Sequence, residues 1–549
     1  MFEFLSRHRL ERRGLSSGKR RRKVAENDFL SALQNGMTMK AALFIGFAIL
    51  TIFFLAMRGD DNALFTAHLL QMPLIVGVIV ATLVIQFFLN HAKSYERNSR
   101  VLLILGVIFL HLVLVDIAFI PIRSGVSEAY KYLLPAYAFA PMLLSILLGR
   151  NHGAFAAVYV SLLGGLLVAR DQAFSFAIFS LVCGFTAVYL THDVRRRGKV
   201  VRAGLYVGLI AAALAILTGQ ISLEQGATWP SVAIQCFTAI MIGILTAMIV
   251  SGLLPVLEGL FRITTEISWI ELSDLNHPLL KRMTIEAPGT YHHSLVVARL
   301  SEAAAEAIGA NESMCRVAAY FHDIGKLNKP QYFIENINKD ENPHDDLTPT
   351  MSALIIIAHV KDGVDLALKH NLNDEIISVI REHHGTTLVQ YFYHRAKEQR
   401  KEFEQRVAEG NANPDDAPVV EKKTFRYPGP KPRSLESAII SLADGVESAS
   451  RSLPKPTPQK IQQLIEDITQ SRIEEGQLDA CGLTFVDLAK IRKSFYNTLC
   501  SMMHNRISYP KDDDDEGGEK EVESEKPDPS GTLKLEVVEK DGGRKKVVA

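Results

Sequence analysis

The chain has 549 residues, more than one ordinary domain holds, and its 60 Lys and Arg balance 60 Asp and Glu. The balance is an average, because residues 40–261 are mostly apolar runs, basic residues crowd the N-terminus and acidic ones crowd the C-terminal tail. Five cysteines at 183, 236, 315, 481 and 500 form no CxxC pair, which speaks against a zinc ribbon and against a disulfide framework.

Residues 1–39 form a basic arm with Arg7, Arg9, Arg12, Arg13 and the run Lys19 to Lys23. A cleaved signal peptide would bring its apolar run sooner and end at a small-residue site. The arm therefore reads as a cytoplasmic segment before a membrane anchor, and not as a nucleic-acid patch. No nucleic-acid polymer is expected as a partner.

A membrane span needs about 20 mostly apolar residues. Eight stretches qualify: 40–57, 63–90, 101–122, 131–149, 153–169, 172–191, 201–219 and 231–260. Basic residues alternate between the connecting loops. Lys93, Arg97 and Arg100 fall in one loop, and Arg195, Arg196, Arg197, Lys199 and Arg202 in another, whereas 220–230 holds no Lys or Arg. Under the positive-inside rule the N-terminus and everything after residue 261 are cytoplasmic, with a lipid bilayer as partner. Trp229 suits the outer interface. His111 and Asp116 lie inside the third stretch, where ionisable groups are costly. The favoured reading is that they face the bundle interior and bond to neighbouring helices.

Residues 262–508 change character. Pro255 ends the last apolar run, and Pro288-Gly289 marks a turn. Helical periodicity follows in 294–308, with Val297, Leu300, Ala304 and Ile308 on one face. Further helices carry Met314, Val317 and Phe321, then Ile355 and Ile356, then Ile376, Ile377 and Ile380, then Ile439, Ile440 and Leu442. No convincing strand alternation interrupts them. The expected fold class is all-α: a polytopic transmembrane bundle of about eight spans, then a cytoplasmic all-helical domain. Residues 395–424 read as a solvated excursion of charged helix and loop. Residues 509–549 are too polar to bury a core and read as a disordered tail.

Metal-ligand residue types recur across these helices: His293, His322-Asp323, His359, His383-His384 and Asp444. Each histidine alone is most often structural or exposed. Together, in one helical domain and with no thiolate among them, they suit a pair of first-row metals, manganese or iron before structural zinc. A carboxylate has two oxygens, so Asp323 is the natural bridge between two ions.

The segments Tyr291-His292-His293-Ser294, His322-Asp323-Ile324-Gly325-Lys326, Asn342-Pro343-His344-Asp345, His359-Val360-Lys361-Asp362-Gly363, His383-His384-Gly385-Thr386-Thr387 and Tyr427-Pro428-Gly429-Pro430-Lys431-Pro432 resemble those of the HD-domain metal phosphohydrolases. As an ordered set after a membrane bundle, they resemble the seven-transmembrane HD subgroup, the PgpH-like cyclic-di-AMP phosphodiesterases of the bacterial inner membrane. That resemblance implies one metal on His293, His322, Asp323 and Asp444, and a second on Asp323, His359, His383 and His384. His292 competes with His293 for the first position. It implies Lys326 at a phosphate oxygen, His344 as a substrate contact, and a bridging hydroxide that opens cyclic-di-AMP to linear 5′-pApA. A homodimer is compatible with it. Asp323 and Lys326 are the catalytic candidates.

The chain departs from that subgroup in one respect. Typical members carry a sizeable extracytoplasmic domain between the first span and the remaining seven, where this chain has only the turn Arg58 to Asn62. Three rival readings stand beside the leading one. They are a cyclic-di-GMP hydrolase, against which Gly385-Thr386-Thr387 stands where a Gly-Tyr-Pro signature would follow the histidines, a (p)ppGpp hydrolase, and a membrane receptor whose domain only binds.

Overall fold

A computed structural model describes residues 36–57, 65–223, 228–337, 342–414, 417–453 and 457–504. The basic arm to residue 35, the Arg58 to Asn62 turn and the 509–549 tail lie outside the described residues. Among the described residues there is no strand, only an isolated bridge between Leu388 and Arg426.

The apolar half holds α1 (Met37–Ala56), α2 (Phe65–Asn90), α3 (Asn98–Ala118), α4 (Phe139–Leu148), α5 (Arg150–Gly164), α6 (Arg170–Thr191), α7 (Arg197–Leu217) and α8 (Trp229–Phe261). Six of these segments are long and apolar enough to cross a bilayer. The expectation of eight full-length spans needs correcting at α4 and α5, which have 10 and 15 residues. Ten helical residues rise only about 15 Å, half the apolar thickness of a membrane. The reason lies in 131–138, where the backbone turns instead of coiling and Pro135 has no N–H to give. Non-helical backbone survives at membrane depth only inside protein. Here Tyr132 and Tyr137 are buried, their rings 5.3 and 5.4 Å from those of Phe179 and Phe176, and the Tyr137 hydroxyl donates to the Tyr132 carbonyl.

His111 and Asp116 find partners in the bundle. The His111 Nδ1 accepts from the Ala140 N–H at 3.4 Å, and Arg123 donates to Asp116 at 3.0 Å. Helices α7 and α8 meet at bare backbone. A Cβ on Gly204 would lie 2.4 Å from the Gly243 carbonyl oxygen, and one on Gly243 would lie 2.3 Å from the Gly204 oxygen. Lipid gives helices no hydrophobic reason to associate, so such close approach between small residues carries the packing.

The second half packs α9 (Glu266–Leu272), α10 (Pro278–Glu286), α11 (Pro288–Ile308), α12 (Glu312–Phe321), α13 (Pro349–Lys369), α14 (Asp374–Glu382), α15 (Gln390–Ala408), α16 (Leu435–Arg451), α17 (Pro458–Glu474) and α18 (Phe485–His504). Most of the periodic apolar residues read from the sequence form its core: Val297, Leu300, Ala304, Val317, Phe321, Ile376, Ile377, Ile380, Ile439, Ile440 and Leu442 are buried, whereas Ile308, Met314, Ile355 and Ile356 are only half-buried. The base of the 395–424 excursion is anchored: Ala396, with the flanking Phe392 and Phe425 just outside that stretch, buries against Ala353 of α13, while much of the charged stretch is exposed. A short apolar patch at three separated positions leaves no periodic signal.

Of the helices that pair with the bundle, two also carry the chain to ligand residues. Glu312, first in α12, pairs with Arg195 at 2.6 Å, and Asp374, first in α14, pairs with Arg262 at 3.2 Å. Thr264 donates to Glu375. Acidic first turns suit helix N-termini. The other ends of these helices lead directly to His322-Asp323 and His383-His384.

Replacing Gly243 by Val should cost about 1–3 kcal/mol through forced separation of α7 and α8. Thermal unfolding of the full chain in detergent measures this, and an unchanged midpoint would contradict the packing account.

Candidate metal centre

Each ligand-bearing helix has local reasons to stop or bend where it does. The Asn311 side chain caps α12 by accepting from the Met314 N–H at 2.7 Å. After Phe321 the chain tightens into a 3-10 turn over Ile324–Asn328. Gly325 lets that turn lie on α13, because a Cβ there would sit 1.8 Å from the His359 carbonyl oxygen. This close approach brings His359 to Asp323. Gly289 plays a similar part at the start of α11, where a Cβ would sit 1.8 Å from the Glu335 carbonyl oxygen. Ser434 caps α16, which carries Asp444 and Glu447.

The seven residues converge on one buried point in two groups, His293, His322, Asp323, Asp444 and Asp323, His359, His383, His384, with the ligand atoms of each group within 4.8 Å of one another. Asp323 belongs to both. Its Oδ2 is 3.2 Å from His322 Nε2 and 3.5 Å from His293 Nε2, while its Oδ1 is 3.4 Å from His359 Nε2 and 3.7 Å from His383 Nε2. Asp444 closes the ring, with Oδ1 3.1 Å from His293 Nε2 and Oδ2 3.6 Å from His384 Nδ1.

The far side of each imidazole decides what its near side can do. A carbonyl oxygen only accepts, so a ring nitrogen beside one carries the proton. His322 Nδ1 lies 2.7 Å from the Ala319 carbonyl, His359 Nδ1 lies beside that of Ile356, and His383 Nδ1 lies 2.9 Å from that of Ile380. His293 Nδ1 meets the Glu447 carboxylate. These contacts hold the ring orientations and aim Nε2 at the centre, the arrangement metal-binding histidines use. The Nε2 atoms of His293 and His322 and the Oδ1 of Asp323 are buried close to groups of the cluster but make no well-aligned hydrogen bond. Unpaired buried polar atoms are costly. A cation among them would satisfy all three, so the donor set fits a metal.

Electrostatics separate the two groups. Burial works against a charge on His322, but Asp323 and Asp444 outweigh it and push its pKa up to about 10. Burial, with His322 beside it, pushes His383 down to about 3, and burial together with His383 lowers His384. Burial would raise Asp323, yet His322 and Lys326 hold it well below the usual carboxylate range.

Lys326 and His344 both line the adjoining cleft of about 900 Å³. The Lys326 ammonium is already engaged, 2.8 Å from Asp323 Oδ2 and 2.7 Å from Glu335 Oε1. His344 donates from Nε2 to the Tyr332 carbonyl at 2.8 Å, leaving Nδ1 as a buried acceptor without a partner. His292 is exposed and stands outside the cluster. Sequence reasoning missed Glu447, Glu335 and Arg472. Glu447 was within reach of a pattern argument, since it lies three residues after Asp444 and so on the same helix face. Glu335 sits on a one-turn segment with no periodicity. Tyr427, quoted only within a motif, stacks on His384 with ring centroids 4.2 Å apart.

Metal uptake should release protons, because coordination needs a bare Nε2 and His322 keeps a proton there in the metal-free chain up to about pH 10. His383 and His384, already neutral, release none. Apparent affinity should therefore fall as pH falls below about 10, by up to about tenfold per unit for one displaced proton. Calorimetry in buffers of different ionisation enthalpy counts that proton, and a release of zero with pH-independent affinity would contradict the assignment.

Comparison with known proteins gives a consistent picture. The family model described as "7TM receptor with intracellular HD hydrolase" matches residues 66–265, and the HD domain model matches residues 290–449. The cyclic-di-AMP phosphodiesterase PgpH of Bacillus subtilis is 34% identical over 444 residues, which is 80% of this chain and 59% of that protein. The protein of the same name from Listeria monocytogenes is 35% identical over 443 residues, 80% of this chain and 58% of its own length. The chain thus spans about three fifths of the length of these relatives. The crystal structure of the L. monocytogenes PgpH HD domain in complex with cyclic-di-AMP is 43% identical and covers 42% of this chain and 100% of its own, with a TM-score of 0.38. With both family models matched in this order along one sequence, the chain belongs to the family of seven-transmembrane proteins with an HD hydrolase domain.

Proposed function

We propose that this protein is a membrane-anchored phosphodiesterase that opens cyclic-di-AMP to linear 5′-pApA. Residues 40–261 anchor it and residues 262–508 carry the reaction. The observation that supports this most is the double group of ligands sharing Asp323. The identity of 34 and 35% to two cyclic-di-AMP phosphodiesterases supports the substrate.

In this reading His293, His322, Asp323 and Asp444 hold one divalent cation and Asp323, His359, His383 and His384 hold another. The ligand chemistry favours manganese or iron. When bound, the pair supplies Lewis acidity and an activated water for attack on phosphorus. The chain does the rest. Asp323 offers one oxygen to each side. Glu447 and the carbonyls of Ala319, Ile356 and Ile380 fix the imidazoles, so no side chain has to reorganise during the reaction. Lys326 balances Asp323 and Glu335, and approaches a phosphate oxygen from there. His344 offers Nδ1 at the cleft wall. Phe333, Tyr391 and Tyr427 line the same cleft and provide flat apolar faces for two bases.

The orientation follows from charge. The loop at 192–196 adjoins the second half through the pairs Arg195–Glu312 and Arg197–Glu271, and Arg100, just after the 91–97 loop, stands within electrostatic reach of Glu375. These are the basic loops, and basic loops stay in the cytoplasm. The reaction domain is then cytoplasmic, in an inner membrane protein.

The test is the manganese-loaded full chain offered a panel of cyclic dinucleotides, with products identified by mass. Linear 5′-pApA should form from cyclic-di-AMP, with cyclic-di-GMP slower by at least about tenfold. Cleavage of the guanine compound alone would overturn the reading. Asp323→Ala should lose turnover and bound metal while the chain stays folded, and full turnover by that variant would reject the bridging role.

A further inference from the structure

A cyclic dinucleotide carries two phosphodiester charges. The ligand cluster accounts for one of them, the scissile group. The second also enters the cleft and needs a counter-charge, since a desolvated anion without a partner is costly. Two cationic side chains line the cleft, Lys326 and Arg472. Lys326 is matched by Asp323 and Glu335. Arg472 is different. Among the described residues its guanidinium has neither an ion pair nor a side-chain hydrogen bond.

The location of Arg472 is built. It stands on the face of α17 that also turns Asp467, Ile468 and Ser471 to the cleft. The Asp467 carboxylate accepts from Gln463 on its own helix at 2.7 Å and leaves the guanidinium alone. Arg472 Nη2 would be 3.5 Å from a Cβ placed on Gly445, the residue after Asp444. That is ordinary van der Waals distance, so the guanidinium lies against Gly445 and beside the ligand cluster. Burial works against its charge, and Asp444 and Glu475 nearby support it. A planar fork of donors matches a phosphate better than an ammonium does.

We propose that Arg472 binds the non-scissile phosphate of the substrate and so selects cyclic dinucleotides over diesters with a single phosphate. This rests on the functional reading above. Arg472 touches substrate but takes no part in bond cleavage.

The experiment compares two substrates on the manganese-loaded full chain, cyclic-di-AMP and bis(p-nitrophenyl) phosphate, which has one phosphate. In Arg472→Ala the ratio of kcat/KM for cyclic-di-AMP to that for the aryl diester should fall about 10- to 100-fold, the loss expected for a charge-assisted contact. The loss should lie mainly in KM, and Arg472→Lys should recover part of it. Manganese affinity, measured separately by calorimetry, should change less than about twofold in both variants. An unchanged ratio overturns the proposal. So does an equal loss on both substrates, or a loss of manganese binding, which would make Arg472 a charge partner of Asp444. Arg472→Gln, which keeps bulk, gives the same reading if the alanine variant fails to fold. If the wild-type chain leaves cyclic-di-AMP intact, the functional reading fails on that result alone. The ratio, taken with whichever cyclic dinucleotide is cleaved, still judges Arg472.

Discussion

One carboxylate at the middle of the second half faces imidazoles on both sides. Asp323 is buried, one oxygen turned to His322 and His293 and the other to His359 and His383. Its own Oδ1 and the Nε2 atoms of His293 and His322 make no well-aligned hydrogen bond, and burying such atoms is unfavourable by about 1–3 kcal/mol each. The domain tolerates this because its helices are fixed elsewhere: by capped N-termini, by an apolar core, and by the approach that Gly325 permits. The centre is thus strained in its polar bonding and rigid in its geometry, which is what a preformed site for multivalent cations requires.

That rigidity reaches the membrane. Helices α12 and α14 each start at an ion pair with an arginine at the end of the bundle and end at a pair of ligand residues. The pairs are solvent-exposed and individually weak. Their effect is to set where two stiff helices begin, and hence where His322-Asp323 and His383-His384 stand. The cleft beside the centre is wide, lined with aromatic rings, and has one engaged and one unengaged cation. It suits a ligand that is flat, apolar in parts and anionic in more than one place.

Much of this was legible in the sequence. The apolar periodicity of the 294–308, 374–382 and 435–451 helices gave their buried faces, and the ordered His and Asp motifs pointed to residues that do converge. Two kinds of feature stayed out of reach. At α4 and α5, hydropathy reports composition and not backbone path, so buried turns at 131–138 look like the start of a helix. Around the ligands, the groups that orient the rings are main-chain carbonyls or side chains such as Glu447 and Glu335, whose residue types are ordinary. Arg472 was hidden for a related reason. Its meaning comes from the absence of a partner, and partners are a property of the fold.

The most direct test of the account is a crystal structure of the manganese-loaded chain with anomalous scattering measured at the metal edge. Two peaks about 3.5–4 Å apart are predicted, with Asp323 between them and one set of imidazoles on each side. A single peak away from Asp323, or none with the seven side chains unmoved, would contradict it.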